Sequence, residues 1–248
     1  MKTLDAKWYD EFSRIMLEDL KYTSLRGDVA QCILDYLREV NGMSPLIDLN
    51  KLEDYVRVRA NLSKRDLARF RIEDYIDYFT GTYTMMKAVE IQQIKRPKNL
   101  KVGIARRIKL FITDPFIFHT INFKVDPDPL NSSKKLLEDP SQTGILVEHV
   151  VCSHFLRLPK LIFYYHLREE NGKTIGEIDC ICNFMRTYIP VEIKFIKNKE
   201  KLRKEAEKVF EFLRELDIDS RPIIISRNVL EIEDNYIIIP AQIFLLLF

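Results

Sequence analysis

The sequence predicts an α/β protein (α+β overall), in which a helical, winged-helix-like domain precedes a domain with a mixed central sheet. Two patterns support this prediction. Apolar residues recur at helical spacing over 5–40 and 49–79, whereas strand-like runs dominate the second half of the chain. A segment with three prolines and several Ser, Asn and Asp residues separates the two patterns. We therefore predict domains at 1–125 and 144–248, joined by a linker at 126–143.

The composition fits a folded protein without a membrane partner. Hydrophobic residues make up 46% and charged residues 31% of 248, which excludes wholesale disorder. The net charge of +2 identifies no partner, so electrostatic arguments must be local. The charged amino terminus excludes a signal peptide, and the longest apolar stretch, 236–248, is too short to span a membrane. The four cysteines form no CxxC pair, so we expect reduced core thiols in a cytoplasmic protein.

The first domain is predicted to contain helices and a two-stranded ribbon. Residues 5–40, 49–59 and 63–79 have helical apolar spacing, and strand-like runs follow at 83–94 and 108–113. Three helices followed by such a ribbon are the layout of a winged helix, whose wing would be the connector between the two strands.

This connector is strongly basic. Between Ile91 and Thr113 there are seven Lys or Arg residues and no acidic residue. Such a wing could neutralise phosphates without reading sequence, although a solvated surface loop is the alternative. The predicted nucleic-acid contacts are Lys95, Arg96, Lys98, Lys101, Arg106, Arg107 and Lys109.

The second domain is predicted to begin with a helix and a β-hairpin. Glu148 lies on the apolar stripe of the helix at 144–158, where a carboxylate needs a cationic partner. Strands at 161–167 and 174–184 are joined through Asn-Gly, a strong hairpin signal. Strict alternation places Glu177 and Asp179 on one face of the second strand, with Ile178, Cys180 and Cys182 on the other.

The rest of this domain predicts a partly parallel sheet. A strand at 188–196 carries Glu192 and Lys194 on one face, and a charged helix follows at 199–216. Further strands are predicted at 223–226 and 236–239, with a short helix after Pro240.

Four of these residues could form a metal site. Mg²⁺ prefers a few carboxylate oxygens, which Asp179 and Glu192 could supply from adjacent strands together with the Ile193 carbonyl. In the hydrolysis of a phosphodiester, Lys194 could orient the attacking water or stabilise the pentavalent phosphorane. Glu148 could hold a metal-bound water or share the ion. Glu177 is a further candidate. The alternative is a surface ion pair of Glu192 with Lys194 or Arg186.

The segments Gly144-Ile-Leu-Val-Glu148, Gly176-Glu-Ile-Asp179 and Pro190-Val-Glu192-Ile-Lys194 resemble the PD-(D/E)XK nuclease superfamily. More narrowly, the chain resembles the carboxyl-terminal region of archaeal and bacterial AAA-type ATPases, which carry a winged helix followed by a nuclease-like domain. The strand at 163–165 and the segment 109–117 also match that group. Two departures are Ile178 in place of the motif proline and the absence of a P-loop sequence, so ATP hydrolysis is not expected.

The resemblance implies a restriction-endonuclease-like three-layer α/β/α domain and a Mg²⁺- or Mn²⁺-dependent endodeoxyribonuclease that cleaves DNA. The winged-helix domain would aid DNA binding, and a homodimer or an ATPase partner would be compatible with this function. The alternatives are a catalytically silent DNA- or protein-binding module derived from an AAA-type ATPase, or a protein-interaction domain without nucleic acid. The expected catalytic residues are Glu148, Asp179, Glu192 and Lys194, and the expected metal ligands are Glu148, Asp179, Glu192 and Ile193.

Overall fold

A computed structural model describes residues 11, 14–15, 18, 20, 23–67, 69–92, 101–102, 106–124, 126–155, 162–170, 173–184 and 187–247. The chain divides into two compact units. The first comprises Met1–Met86 and Ile112–Leu146, and the second comprises Lys87–Phe111 and Val147–Phe248. Helices and a mixed sheet confirm the predicted α/β class. Within the described ranges, every helix is too short or too polar to cross a bilayer.

The first unit is mainly helical. Its central helix α1 buries Val29, Ile33 and Leu37 on one face, as their helical spacing predicts. The predicted helix at 63–79 is interrupted, because Arg71 adopts an extended backbone and caps a new helix there. The elements of this unit are α1 (Gly27–Glu39), β1 (Leu46–Asp48), α2 (Leu49–Arg59), α3 (Lys64–Leu67), α4 (Ile72–Gly81), α5 (Pro115–Asn122) and α6 (Pro129–Glu138).

Asp-Pro pairs begin three successive helices. Asp114, Asp128 and Asp139 each accept a hydrogen bond from a backbone N–H just downstream, and a proline follows each of them. Proline suits the first helical turn, since the N–H it lacks would have no helical partner there. The predicted linker at 126–143 therefore contains α6 and the beginning of α7 (Pro140–His154) instead of irregular chain.

The second unit is built on a mixed sheet. Its strand order is β4-β2-β5-β6-β7-β8-β10-β9, with β3 paired to β2. The β2/β5, β7/β8 and β8/β10 pairs are parallel, and the β5/β6, β6/β7 and β9/β10 pairs are antiparallel. The strands are β2 (Met85–Gln92), β3 (Lys101–Val102), β4 (Arg107–Ile112), β5 (Ile162–Glu170), β6 (Lys173–Phe184), β7 (Thr187–Ile193), β8 (Ile223–Ser226), β9 (Glu231–Ile232) and β10 (Ile237–Pro240).

The two strands predicted as a winged-helix ribbon lie inside this sheet. β2 pairs in parallel with β5 through Val89 and Tyr164. The two strands are hydrogen-bonded neighbours, as predicted for the ribbon, but β5 continues them into the larger sheet. Burial explains the difference, because Ala88 and Ile91 are fully enclosed, as is typical of a strand inside a sheet.

Helix α8 (Lys199–Glu215) covers one face of the sheet. It connects β7 to the parallel strand β8, and its residues Leu202 and Ala206 pack in one core cluster with Ile178, Ile181 and Ile224. Helix α7 contacts side chains on the opposite face of the sheet, because its Glu148 and Asp179 of β6 both accept hydrogen bonds from the Lys109 ammonium group. The chain described ends with α9 (Ala241–Leu247).

A β-bulge in β6 breaks the strict alternation of that strand. Tyr164 of β5 lies opposite Ile181, and His166 lies opposite Ile178. Two steps along β5 thus correspond to three steps along β6, which places one extra residue at 179–180. A bulge of this kind re-aims the side chains around it.

The bulge changes the face on which one cysteine lies. Ile178 and Ile181 both pack in the cluster beneath α8, whereas Cys180 contacts Cys182, 3.5 Å between sulfurs, and Cys152 of α7. The prediction that Ile178 and Cys180 share a face is therefore wrong. All four cysteines are buried and reduced, as predicted.

Candidate functional site

Three carboxyl groups meet in the second unit and form what we call the acid triad. Glu148 comes from α7, and Glu177 and Asp179 come from β6, where their spacing of two places both side chains on one face. One oxygen from each lies within 4.8 Å of the other two. Like charges this close repel one another, and a cation among them relieves that repulsion.

Lys109 of β4 supplies that cation. Its Nζ donates to Glu148 Oε1 at 2.8 Å and to Asp179 Oδ1 at 2.9 Å, and it also forms an ion pair with Glu177. The Lys109 side chain is only 1% exposed. Because an ammonium group has three N–H donors, one carboxylate of the triad meets each donor.

Charge and burial oppose one another in this cluster. Burial alone would lower the pKa of Lys109, but the three carboxylates hold it well above its ordinary value. Burial would likewise raise the pKa of Asp179, but Lys109 and Lys194 lower it. Burial and the neighbouring Asp179 raise the pKa of Glu148 to about 8. One ammonium group therefore does not fully compensate the triad.

A second charged pair adjoins Asp179. The Asp179 backbone N–H donates to Glu192 Oε2 at 3.1 Å, and Glu192 also accepts a hydrogen bond from Lys194. In return, the Ile193 N–H donates to Asp179 Oδ2 at 2.8 Å. These exchanged bonds tie β6 to β7 at the site, with Glu192 almost fully buried and the Lys194 side chain 36% exposed.

The whole cluster contains more acidic than basic groups. Burial and Asp179 raise the pKa of Glu192 well above its ordinary value, whereas Glu192 and Asp179 raise the pKa of Lys194 against the effect of burial. Four carboxyl groups face two ammonium groups, so full ionisation would leave two negative charges uncompensated.

Glu148, Asp179, Glu192 and Lys194, the residues predicted from the sequence, lie in one bonded network. Their grouping differs from the predicted ligand set. Among the residues that the structure describes, Glu177 and not Glu192 completes the close group of carboxylates. Ile193 joins through its N–H. The shared face of Glu177 and Asp179 was the sequence signal for this grouping.

The prediction that Lys109 contacts nucleic acid as part of the basic connector is wrong. Lys109 is buried and bound by three carboxylates. The signal lies in its neighbours, since Lys109 stands between Ile108 and Leu110 in an apolar run. A lysine inside such a strand needs a buried acid, and Glu148 already lacked a cationic partner.

The rest of the basic connector is only partly described. Lys95, Arg96 and Lys98 lie outside the described residues, and only the backbone of Lys101 is described. Arg106 is exposed. Arg107 forms ion pairs with Glu169 and with Glu90, the latter at 3.5 Å.

Comparisons with known proteins do not assign this chain to a family. No protein-family model matches the sequence, and no curated protein matches it. One solved structure, the crystal structure of protein VC1899 from Vibrio cholerae, is similar at 12% sequence identity with a TM-score of 0.29. The similarity covers 89% of this chain and 53% of that one, so the chain spans about half the length of VC1899. A TM-score this low does not establish a shared fold.

Proposed function

We propose that the second unit is a Mg²⁺- or Mn²⁺-dependent nuclease that hydrolyses phosphodiester bonds in DNA, with a PD-(D/E)XK-like fold. The observation that carries the proposal is the acid triad, whose three carboxylate oxygens lie within 4.8 Å of one another beside Glu192 and Lys194.

The donor set fits a hard divalent cation. Carboxylate oxygens are the ligands that Mg²⁺ and Mn²⁺ prefer. Full ionisation of the cluster on metal binding, with loss of the protons that the raised pKa values of Glu148 and Glu192 retain, would leave two negative charges, which match the charge of such an ion. Glu148, Glu177 and Asp179 would hold it, and a bound ion would polarise the phosphodiester and lower the pKa of a coordinated water.

The remaining residues have separate roles. Lys194 is the partly exposed cation of the cluster, so its ammonium group can meet a phosphate oxygen and stabilise the charge that develops there. Glu192 holds Lys194 in place and fixes the Asp179 backbone through a second hydrogen bond. Arg106 and the other basic residues of the connector, except the buried Lys109, would contact the DNA backbone, which makes binding salt-dependent and independent of sequence.

The test is cleavage of single- and double-stranded DNA by the purified chain with Mn²⁺ or Mg²⁺. We expect Asp179→Asn, Glu192→Gln and Lys194→Ala each to abolish cleavage. Glu207→Gln and Lys204→Ala, which change exposed residues of α8, should keep it. Cleavage that survives in all three cluster variants would refute the assignment.

A second candidate is a catalytically silent DNA- or protein-binding module derived from an AAA-type ATPase. The observation that favours it is Lys109, whose ammonium group already engages all three acids. This candidate predicts salt-dependent DNA binding that the double change Arg106→Ala with Arg107→Ala weakens, and no cleavage with any divalent ion.

A further inference from the structure

Lys109 and a divalent ion would need the same three carboxyl groups. Each N–H of the ammonium group has one carboxylate of the acid triad as its partner, and almost none of the side chain is exposed. An ammonium group and a metal ion within a few ångströms of one another repel strongly in a buried environment. The two cations therefore exclude one another.

A second pair of buried polar side chains lies next to Lys109. Glu90 of β2 and Tyr165 of β5 are paired residues on adjacent strands, and β2 is the neighbour of β4. Among the described residues, the Tyr165 hydroxyl is buried without a hydrogen-bond partner. Glu90 Oε2 is also buried without a hydrogen bond, and its ion pair with Arg107 is long, at 3.5 Å. Lys109 Nζ lies 6.0 Å from the centre of the Tyr165 ring. We call Glu90 and Tyr165 the polar niche.

A buried hydroxyl without a partner costs free energy, as does a buried carboxylate whose oxygen has only a long ion pair, so both groups need an explanation. A lysine side chain has enough rotatable bonds to move its ammonium group by several ångströms while its backbone stays in the strand. The niche offers what a displaced ammonium group requires, namely one carboxylate oxygen and one hydroxyl oxygen that accept hydrogen bonds.

We propose that Lys109 is a built-in competitor of the metal ion, which holds the acid triad when no metal is bound and moves to the polar niche when a divalent ion enters. This inference rests on the proposed function for the role of the metal, and it assigns Lys109 as a positioning residue. Metal binding is then weakened by the fraction of time that Lys109 spends in the triad.

The first experiment measures Mn²⁺ affinity from the loss of the free-ion electron paramagnetic resonance signal. If Lys109 leaves the triad in about one molecule in ten, Lys109→Met should bind Mn²⁺ about tenfold more tightly than the wild type. Lys204→Met, an exposed lysine of α8, is the matched control and should bind like the wild type. Equal affinities for the wild type and Lys109→Met would overturn the proposal.

The second experiment tests the niche through a double-mutant cycle. Glu90→Gln and Tyr165→Phe should each weaken Mn²⁺ binding when Lys109 is present, because its alternative seat is damaged. Neither change should alter the affinity in the Lys109→Met background. Equal effects in both backgrounds would overturn the assigned role of the niche.

Thermal unfolding also measures the loss of Lys109, since the acid triad then lacks its cation. Lys109→Met should have a lower Tm than the wild type in EDTA, and Mn²⁺ should raise it more than it raises that of the wild type. If Lys109→Met does not fold in EDTA, Glu90→Gln and Tyr165→Phe with Lys109 present keep the test open, because both leave the acid triad intact. A Tm of folded Lys109→Met that Mn²⁺ raises no more than it raises that of the wild type would overturn the proposal.

These outcomes differ from those that test the nuclease. Tighter binding in Lys109→Met without DNA cleavage by any form of the protein would support the competitor and refute the nuclease. Cleavage that depends on Asp179, together with equal Mn²⁺ affinities for the wild type and Lys109→Met, would support the nuclease and refute the competitor.

Discussion

Two buried carboxylate clusters in the second unit have opposite charge balance. In the acid triad, three carboxylates share the single ammonium group of Lys109. Glu231 of β9 is instead one carboxylate that accepts hydrogen bonds or ion pairs from three donors. Those donors are Arg203 at 2.7 and 3.1 Å, Lys199 at 2.6 Å and the Tyr236 hydroxyl at 2.9 Å.

The pKa values follow this balance. Burial and Asp179 raise the pKa of Glu148 to about 8, whereas hydrogen bonds from Arg203, Lys199 and Tyr236 lower the pKa of Glu231 to about 2. A cluster with surplus donors stabilises the fold. A cluster with surplus acids destabilises it unless a cation is added, which is the pattern expected where binding is the purpose.

The largest expected effect concerns the opposite face of the strand that carries the acids. A Cβ on Gly176 would lie 2.2 Å from two ring atoms of Phe212, so Gly176→Ala should lower the free energy of unfolding by about 3 kcal/mol in urea denaturation. Gly144→Ala is the control, because nothing lies within 4 Å of its added Cβ, and it should gain up to about 1 kcal/mol in helix α7. A loss well below about 3 kcal/mol for Gly176→Ala would show that this face of β6 is loosely packed.

The next effect compares the same chemical change in both clusters. Glu231→Gln should cost about 1–2 kcal/mol at pH 7, since the charge-assisted hydrogen bonds of Arg203 and Lys199 are weakened. Glu177→Gln should cost less or increase stability, because it relieves repulsion within the acid triad. Urea denaturation of both variants measures the difference, and a larger loss in Glu177→Gln would contradict the assigned charge balance.

The raised pKa of Glu148 should make the free energy of unfolding depend on pH between the ordinary pKa of a glutamate and the pKa of Glu148 in the folded protein. Because the folded pKa of about 8 exceeds the ordinary value of 4.5, the folded state binds the extra proton. Stability should therefore fall as pH rises from about 4.5 to about 8, by less than about 1.4 kcal/mol per pH unit. In Glu148→Gln this slope should be reduced, which a series of urea titrations would measure. An unchanged slope would assign the titration to other groups.

The smallest effect has the opposite sign and lies at acid pH. Since the folded pKa of Glu231 is about 2 against an ordinary value of 4.5, its contribution is complete above about 4.5 and is lost as pH falls toward 2. Thermal unfolding of Glu231→Gln should therefore vary less with pH over this range than that of the wild type. If Tm changes with pH in the same way in the two proteins, Glu231 does not cause the loss of stability at acid pH.

Much of the second unit was predictable from the sequence because its local signals agree. The strand at 223–226 and the helix from 199 match the predicted bounds closely, and Glu148, Asp179, Glu192 and Lys194 lie in one network. Features that depend on contacts between distant parts of the chain could not be predicted from it. Strict alternation cannot include a bulge, and a count of basic residues cannot separate a buried lysine from an exposed connector.

The Asp-Pro pairs show the same limit in the first unit. Prolines at 127, 129 and 140 were counted as signs of irregular chain, yet two of them begin helices. The aspartate before each of these prolines was the missing part of the signal, because its side chain caps the helix that the proline starts.

The extra residue at 179–180 also restricts how β6 can vary in length. A second register shift lies nearer the hairpin, where Arg168 pairs with Gly176 and Glu169 with Thr174, so the side chains before the bulge alternate regularly only from Gly176 to Asp179. A single deletion there would turn Glu177 toward α8 and a bulkier neighbour toward Phe212. An insertion or deletion between Glu177 and Asp179 should therefore place these two side chains on opposite faces and disrupt the acid triad.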